Sequence, residues 1–385
     1  MQSERSVMRY ISLFSGIGGL ESPIHKPILA CEIDEDCHPV IERRLQADVV
    51  ADVSMLHPPR ADLVTGGWPC QDISVAGDRA GLTGDRSGLF FEMVRVAQEA
   101  HASTIIAENV PNLLRLDSGR AFEWVLETFA EAGFPNVAWR TLNARAFGLP
   151  HQRRRVFIIA STDYDTAAAL HRPIPTFEAD HSAIRADGFY WTAGLQSINY
   201  SHGFVPTLKV GSSLSIPSPP AVFVEGLVRK ITAEEALVLQ GFDPSEFEAV
   251  SSKAIHRMVG NAVARPVGEW VMSTPDVNES PEFHVSSFGA ITPSGVYSDG
   301  EILGIQHAEP QLATNLGSFL DLTISEPLSV RAATGLLSRL RRSGKPCPNE
   351  LRDALERAAV ESEPLTKEDL VKAFDALTGT DNAMQ

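Results

Sequence analysis

Along the first 160 residues, short apolar runs alternate with stretches of helix length whose apolar positions recur on one face. The runs Arg9–Phe14, Pro27–Ile33, Ala61–Thr65, Thr104–Glu108, Val137–Asn143 and Val156–Ala160 predict strands. Asp36–Gln46, Gly88–His101 and Arg120–Ala132 predict the helices between them. In the second helix Leu89, Phe90, Met93, Val94, Val96 and Ala97 form one stripe at the 3.6-residue period. Such alternation predicts a parallel α/β sheet covered by helices, with ligands bound beyond the carboxyl ends of its strands. Gly16, Glu32, Asp52, Cys70 and Asn109 all fall at or just past strand ends, and so on one rim.

The texture changes at Ser161. Periodicity disappears as far as Arg229, while Pro, Ser, Gly and His become frequent. The aromatics Phe189, Tyr190, Trp191 and Phe204 argue for a small loop-rich domain rather than a linker. Helical signals resume at Thr232-Ala233-Glu234-Glu235, a capping-box pattern, and again at Asn261–Ser273. Residues 275–329 are irregular. Amphipathic stretches at Val330–Arg342 and Glu350–Ala359, and one opened by Thr366-Lys367-Glu368-Asp369, predict a three-helix appendage that serves packing or solubility.

Composition narrows the class. The chain has 385 residues, 43% hydrophobic, enough for two or three domains with real cores. No apolar run approaches the roughly 20 residues of a membrane span. The first residues lack the apolar core of an export signal, so a cytoplasmic protein is expected. Four cysteines without paired spacing predict free thiols and no metal site. The net charge of −16 speaks against a generic nucleic-acid binder. That charge is uneven, since residues 275–385 hold 17 acidic against 9 basic residues. The remainder carries basic clusters at Arg43-Arg44, Arg79 with Arg86, Arg153-Arg154-Arg155 and Arg229-Lys230.

Two features carry chemistry. A predicted strand runs into Phe14-Ser15-Gly16-Ile17-Gly18-Gly19, a turn that lets a ligand approach the backbone, with Glu32 placed to take ribose hydroxyls. A later strand delivers Cys70 within Gly66-Gly67-Trp68-Pro69-Cys70-Gln71. The turn and acid alone also fit a nicotinamide dinucleotide, a reading that leaves Cys70, Glu108 and the arginine triplet unexplained.

Residues 9–272 resemble the DNA (cytosine-5)-methyltransferases of prokaryotes and phages, with most of that family's motifs in order. These are the glycine turn, Glu32-Ile33, Asp52-Val53, Gly67-Trp68-Pro69-Cys70-Gln71, Arg86-Ser87-Gly88-Leu89, Glu108-Asn109-Val110, His151-Gln152-Arg153-Arg154-Arg155, Thr232 through Phe242, and Gly260-Asn261-Ala262-Val263. The resemblance implies a Rossmann-like sheet binding S-adenosylmethionine, a loop-rich recognition domain and a helical C-terminal extension. It implies cofactor contacts from Phe14, Gly16, Ile17, Gly18, Gly19, Glu32, Ile33, Asp52, Val53, Pro69, Leu89, Asn261 and Val263. Double-stranded DNA is the implied partner, touched by Gln71, Ser74, Arg86, Thr207, Leu208, Arg229 and Gln240, with the protein acting as a monomer in restriction-modification.

The expected division is 1–160 catalytic, 161–254 target recognition, 255–274 a returning helix and 275–385 an extension. A truncation after Thr274 is expected to keep sequence specificity.

The chemistry explains the residue types. Cytosine C5 is a poor nucleophile, and adding the Cys70 thiolate at C6 makes an enamine with electron density on C5. Glu108, held neutral by desolvation, donates to N3 and selects cytosine. By resemblance Arg155 reaches O2 and the Glu108 side, while Arg153 steadies the thiolate or a phosphate. The Gln71–Ser87 segment suits a lid over a flipped base. Transfer-RNA methylation, an altered one-carbon donor and a non-enzymatic DNA-binding repressor remain open at this level.

Overall fold

The computed structural model describes residues 8–22, 24–69, 88–163, 165–177, 184–190, 198–210, 219–273, 284–286, 291–298, 300–307, 315–343 and 347–360. Cys70, Gln71, Ser74 and Arg86 lie outside the described residues, as does the helix expected from Thr366.

One large sheet organises the molecule. Its first half is parallel, in the order β3 (Val49–Val50), β2 (Leu29–Cys31), β1 (Tyr10–Leu13), β4 (Leu63–Gly66) and β5 (Thr104–Asn109). Beyond β5 the sheet turns antiparallel, through β7 (Arg154–Ser161) and β6 (Asn136–Asn143). An all-parallel sheet is therefore corrected to a mixed one. A parallel return needs a crossover of a dozen or more residues, usually helical. Only a short 3-10 turn, Ala144–Phe147, lies in the connection from β6 to β7, so the two strands pair antiparallel.

Helices α1 (His38–Leu45), α2 (Gly88–Glu99) and α3 (Arg120–Glu131) follow the predicted stripes. The α2 stripe buries Phe90, Met93, Val94, Val96 and Ala97. The Phe90 ring lies 5.1 Å from Trp68, 5.6 Å from Trp124 and 5.3 Å from Phe129. This cluster anchors the chain two residues before Cys70. Losing a buried Phe side chain of this kind costs about 3–5 kcal/mol.

Among the described residues no helix covers the connection from β1 to β2. Its place against the glycine turn is taken by α7 (Arg265–Met272), from the far end of the core motifs. Gly268 makes this possible, because a Cβ there would lie 1.9 Å from the Gly19 carbonyl oxygen.

A second, antiparallel sheet holds β8 (Ala186–Phe189), β9 (Ser201–His202), β10 (Ala221–Val224) and β11 (Leu227–Lys230). The C-terminal segment completes both sheets. Its strands β12 (His284–Ser286), β13 (Ser294–Ser298) and β14 (Glu301–Gln306) extend the large sheet, with β13 pairing β6. Helices α8 (Val330–Ser343) and α9 (Asn349–Val360) bury Ala333, Leu336, Leu351 and Leu355 against Phe189, Ala221 and Val228 of the small sheet. The expected appendage is thus part of two cores, and a truncation after Thr274 would expose both. No helix among the described residues is long and apolar enough to cross a membrane.

Candidate active site

A cavity of about 600 Å³ opens at the carboxyl ends of β1, β2, β4 and β5. One end is lined by Phe14, Gly16, Gly19, Glu32, Ile33, Asp52 and Val53, the other by Gly67, Pro69, Leu89, Glu108, Arg155, Asn261 and Val263. Ile17 and Gly18 do not line it. Ile17 is buried in the core between α1 and the α5–α6 region, and its contribution to the turn is backbone.

At the first end Glu32 closes the glycine turn from outside. Its Oε2 accepts from the Gly16 N–H at 2.8 Å and its Oε1 from the Asp34 N–H at 2.9 Å. Asp52 is exposed and caps a short 3-10 turn, accepting from the backbone and hydroxyl of Ser54 at 2.9 and 2.8 Å. These hydrogen bonds hold the Asp52 carboxyl below its ordinary range. Ile33 stands 78% exposed beside these acids, an apolar face for a flat ring.

At the other end Glu108 is buried at the end of β5, facing Gly67. A Cβ at Gly67 would come within 2.7 Å of Glu108 Oε2, so only glycine admits the carboxyl here. Desolvation raises the Glu108 carboxyl above its ordinary value, against the lowering influence of Arg155 and Arg153. Arg155 Nε stands 2.8 Å from Oε1 as an ion pair, yet Oε1 has no aligned hydrogen-bond donor among the described residues. Asn109 donates from its side-chain amide to the Trp68 carbonyl at 3.0 Å, tying the end of β5 to the approach to Cys70.

Several expected roles change. Arg153 is buried and donates to the carbonyls of Leu208 and Gly260, at 3.2 and 3.1 Å. It straps the recognition segment to α6 (Ser252–Asn261) and presents no group to a phosphate. Leu208 is packed in a core, and its backbone N–H donates to His151 Nε2 at 2.9 Å. The Thr207 hydroxyl donates to the Gln152 carbonyl at 2.6 Å.

Arg229 is 1% exposed and forms a two-pronged pair with Glu235 at 2.8 and 2.7 Å. The Gln240 amide donates to the Val259 carbonyl at 2.8 Å, and its side chain is wholly enclosed. Burial removes Leu208, Arg229 and Gln240 from any surface DNA could touch in this conformation. His151, also wholly enclosed, is held neutral by desolvation and by the neighbouring arginines.

Sequence reasoning missed Glu21 and the use of Arg44. Arg44 is buried under the glycine turn and donates to the carbonyls of Ile17 and Gly18. Its Nε also pairs with Glu246 at 2.7 Å, and its guanidinium sits 4.8 Å above the Phe242 ring. A basic pair in sequence reads as surface; no local signal marks one member as internal.

A doubly anchored glycine turn with two carboxylates, facing a desolvated carboxyl–arginine pair across one cavity, defines a nucleoside-cofactor site that opens onto a reaction chamber. The sequence pattern of the C-5 cytosine-specific DNA methylases matches residues 8–187. The type II methyltransferase M2.BsuMI of Bacillus subtilis (strain 168) is 33% identical over 377 residues, spanning 87% of this chain and 94% of that protein. Coverage of that extent necessarily runs past Thr274. The type II methyltransferase M.NgoBI of Neisseria gonorrhoeae is 28% identical over 296 residues, 67% of this chain and 90% of that one. The Entamoeba histolytica methyltransferase EhMeth shares the fold, with a TM-score of 0.50 at 15% identity over 70% of this chain and 97% of that chain.

The chain belongs to the C-5 cytosine-specific DNA methylase family, and its activity is S-adenosylmethionine-dependent methylation of cytosine C5 in DNA. The residues present fit that cofactor. Glu32 and Asp52 offer acceptors for ribose and adenine groups, Ile33 offers an apolar face, and the cavity continues unbroken to Glu108.

Proposed function

We propose that Cys70 is the nucleophile and that Glu108 and Arg155 form the group that activates cytosine. The observation that carries this reading is the Glu108 carboxyl, desolvated and raised, with Arg155 at 2.8 Å, in the same cavity as Glu32. Bound S-adenosylmethionine supplies an electrophilic methyl group. Glu32 and Asp52 hold its nucleoside, and Asn261 and Val263 close the cavity from the C-terminal side.

The target cytosine enters flipped from the duplex, because its C6 is inaccessible within the stack. A protonated Glu108 donates to N3 and accepts from the exocyclic amine, which discriminates against thymine. Arg155 stabilises the negative charge that gathers on the N3/O2 side as the Cys70 sulfur bonds to C6. The electron pair released to C5 takes up the methyl group. Loss of the C5 proton to a base then restores the ring and breaks the S–C6 bond, returning the thiolate. Arg153, on this reading, positions the Thr207–Leu208 segment rather than touching substrate. Thr207, alone of the expected recognition residues inside the described region, stays partly exposed for DNA.

The test is duplex DNA carrying 5-fluorocytosine at the target site. Fluorine cannot leave as the C5 proton does, so a stable protein–DNA adduct is expected on Cys70. An adduct that persists in Cys70→Ser, or methyl found on cytosine N4 or adenine in digested DNA, would assign the chemistry differently.

A further inference from the structure

Beneath the glycine turn lies a carboxylate that no part of the mechanism uses. Glu21 is 6% exposed and lines the cofactor end of the cavity. Its Oε1 accepts from the Ser12 hydroxyl at 2.9 Å, and Ser12 in turn contacts the Ser15 hydroxyl at 2.8 Å. Its Oε2 meets no hydrogen-bond donor among the described residues. A buried carboxylate oxygen left without a donor is costly, so its persistence calls for a ligand that supplies one. Arg44 does not, because its guanidinium is occupied by the Ile17 and Gly18 carbonyls and by Glu246.

The geometry of the turn sharpens the point. Across a trans peptide the carbonyl of one residue and the N–H of the next point in opposite directions. With the Gly18 carbonyl drawn to Arg44, the Gly19 N–H is directed away from that guanidinium. The turn is followed by no helix among the described residues, so no helix N-terminus supplies positive potential here. The cradle thus holds a backbone donor and a carboxylate acceptor a few residues apart, the complement of a zwitterion. The methyl donor ends in one, an α-amino acid.

We propose that Glu21 binds the α-ammonium group of the cofactor's amino-acid part through its free Oε2, fixing the sulfonium end of the molecule relative to Glu108. This rests on the S-adenosylmethionine reading and extends it to a residue outside the glycine motif. Burial supports it independently: desolvation raises the Glu21 carboxyl to about 7, and an ammonium partner would draw it back down. Tyr10 and Arg44 are the other ionisable groups coupled to Glu21. Tyr10 is raised further still and Arg44 remains a guanidinium, so neither titrates between pH 5.5 and 7.5.

The experiment is calorimetric titration of the full chain with S-adenosylhomocysteine and with its des-amino analogue, in which hydrogen replaces the amine. The parent protein is expected to prefer the amine form by at least about tenfold, as a charge-assisted hydrogen bond implies. In Glu21→Gln that preference should collapse, with affinity for the des-amino analogue changed less than about threefold. Equal losses for both ligands would mean that Glu21 only shapes the turn, and no loss for either would mean that it faces no ligand. Either result overturns the proposal. The parent protein alone gives a second reading that survives a misfolded variant. From pH 5.5 to 7.5 its affinity for the amine form should rise about tenfold while that for the analogue stays flat, and parallel curves would overturn the assignment. Failure of the parent to bind either ligand would instead remove the cofactor reading itself, and the proposal with it.

Discussion

Two buried arginine–glutamate pairs sit in this molecule, one in each sheet, and they are built to opposite ends. Arg229 and Glu235 meet through two parallel hydrogen bonds at 2.8 and 2.7 Å. Glu235 also accepts from the backbone of Thr232 and Asp321, at 2.9 and 2.8 Å, and so joins the capping box of α5 (Ala233–Val238) to the C-terminal segment. Arg155 and Glu108 are as close, at 2.8 Å, but Glu108 Oε1 has no aligned donor among the described residues and the pair faces a cavity. A buried ion pair recovers its desolvation cost only when its remaining hydrogen-bonding capacity is met. The first pair meets nearly all of it with protein groups and is structural. The second leaves capacity that a substrate base is suited to fill.

Substitutions at the two regions should therefore separate activity from stability. Largest is Cys70→Ser, where a hydroxyl replaces the thiolate: turnover should fall by about 10⁴-fold or more, with DNA binding and melting temperature retained. Single-turnover methyl transfer checks this, and a loss below about tenfold would detach Cys70 from the chemistry.

Glu108→Gln follows, with about 10²–10⁴-fold lost in kcat. Its stability should hold or increase at pH 8, since the amide needs no deprotonation in a desolvated site. A matching drop in melting temperature would make this pair structural as well and erase the contrast.

Arg229→Ala should act in reverse. Leaving Glu235 buried and unpaired is expected to cost about 3–5 kcal/mol in urea unfolding, with methylation per folded molecule nearly unchanged at low temperature.

The smallest effect concerns pH. The folded-state carboxyl of Glu21 is raised from 4.5 to about 7, so it contributes stability below pH 4.5 that is lost as pH rises to 7. Across that window the loss is about 3 kcal/mol, and Glu21→Gln should flatten that part of the curve. Urea midpoints at pH 5, 6, 7 and 8 measure it. An identical slope in both proteins would show that Glu21 is ionised throughout, with a donor of its own.

Much of the architecture was legible locally. The α2 and α3 stripes and the β1, β5 and β6 runs were read to within a few residues, because burial on one face imposes its period on the sequence. The antiparallel β7 was misjudged, although the short connection before it was visible. The C-terminal segment was misjudged for a different reason. Its strands and helices are unremarkable alone, and their partners, β6 and the small sheet, lie more than 100 residues away in the chain.

The sequence by itself determined the order of the motifs, the rim on which they gather and the reaction that rim serves, because each motif is a few adjacent residues at a strand end. It did not determine which polar residue faces the ligand. Arg153 and Arg155 are two residues apart on one extended segment, where alternate side chains share a face. Only the folded chain brings the Leu208 and Gly260 carbonyls to Arg153 and leaves Arg155 to Glu108. Likewise Arg44 is internal only because Glu246 and the glycine turn close over it. A side chain's role here follows from whether distant backbone groups consume its hydrogen bonds, and that is settled by tertiary contact.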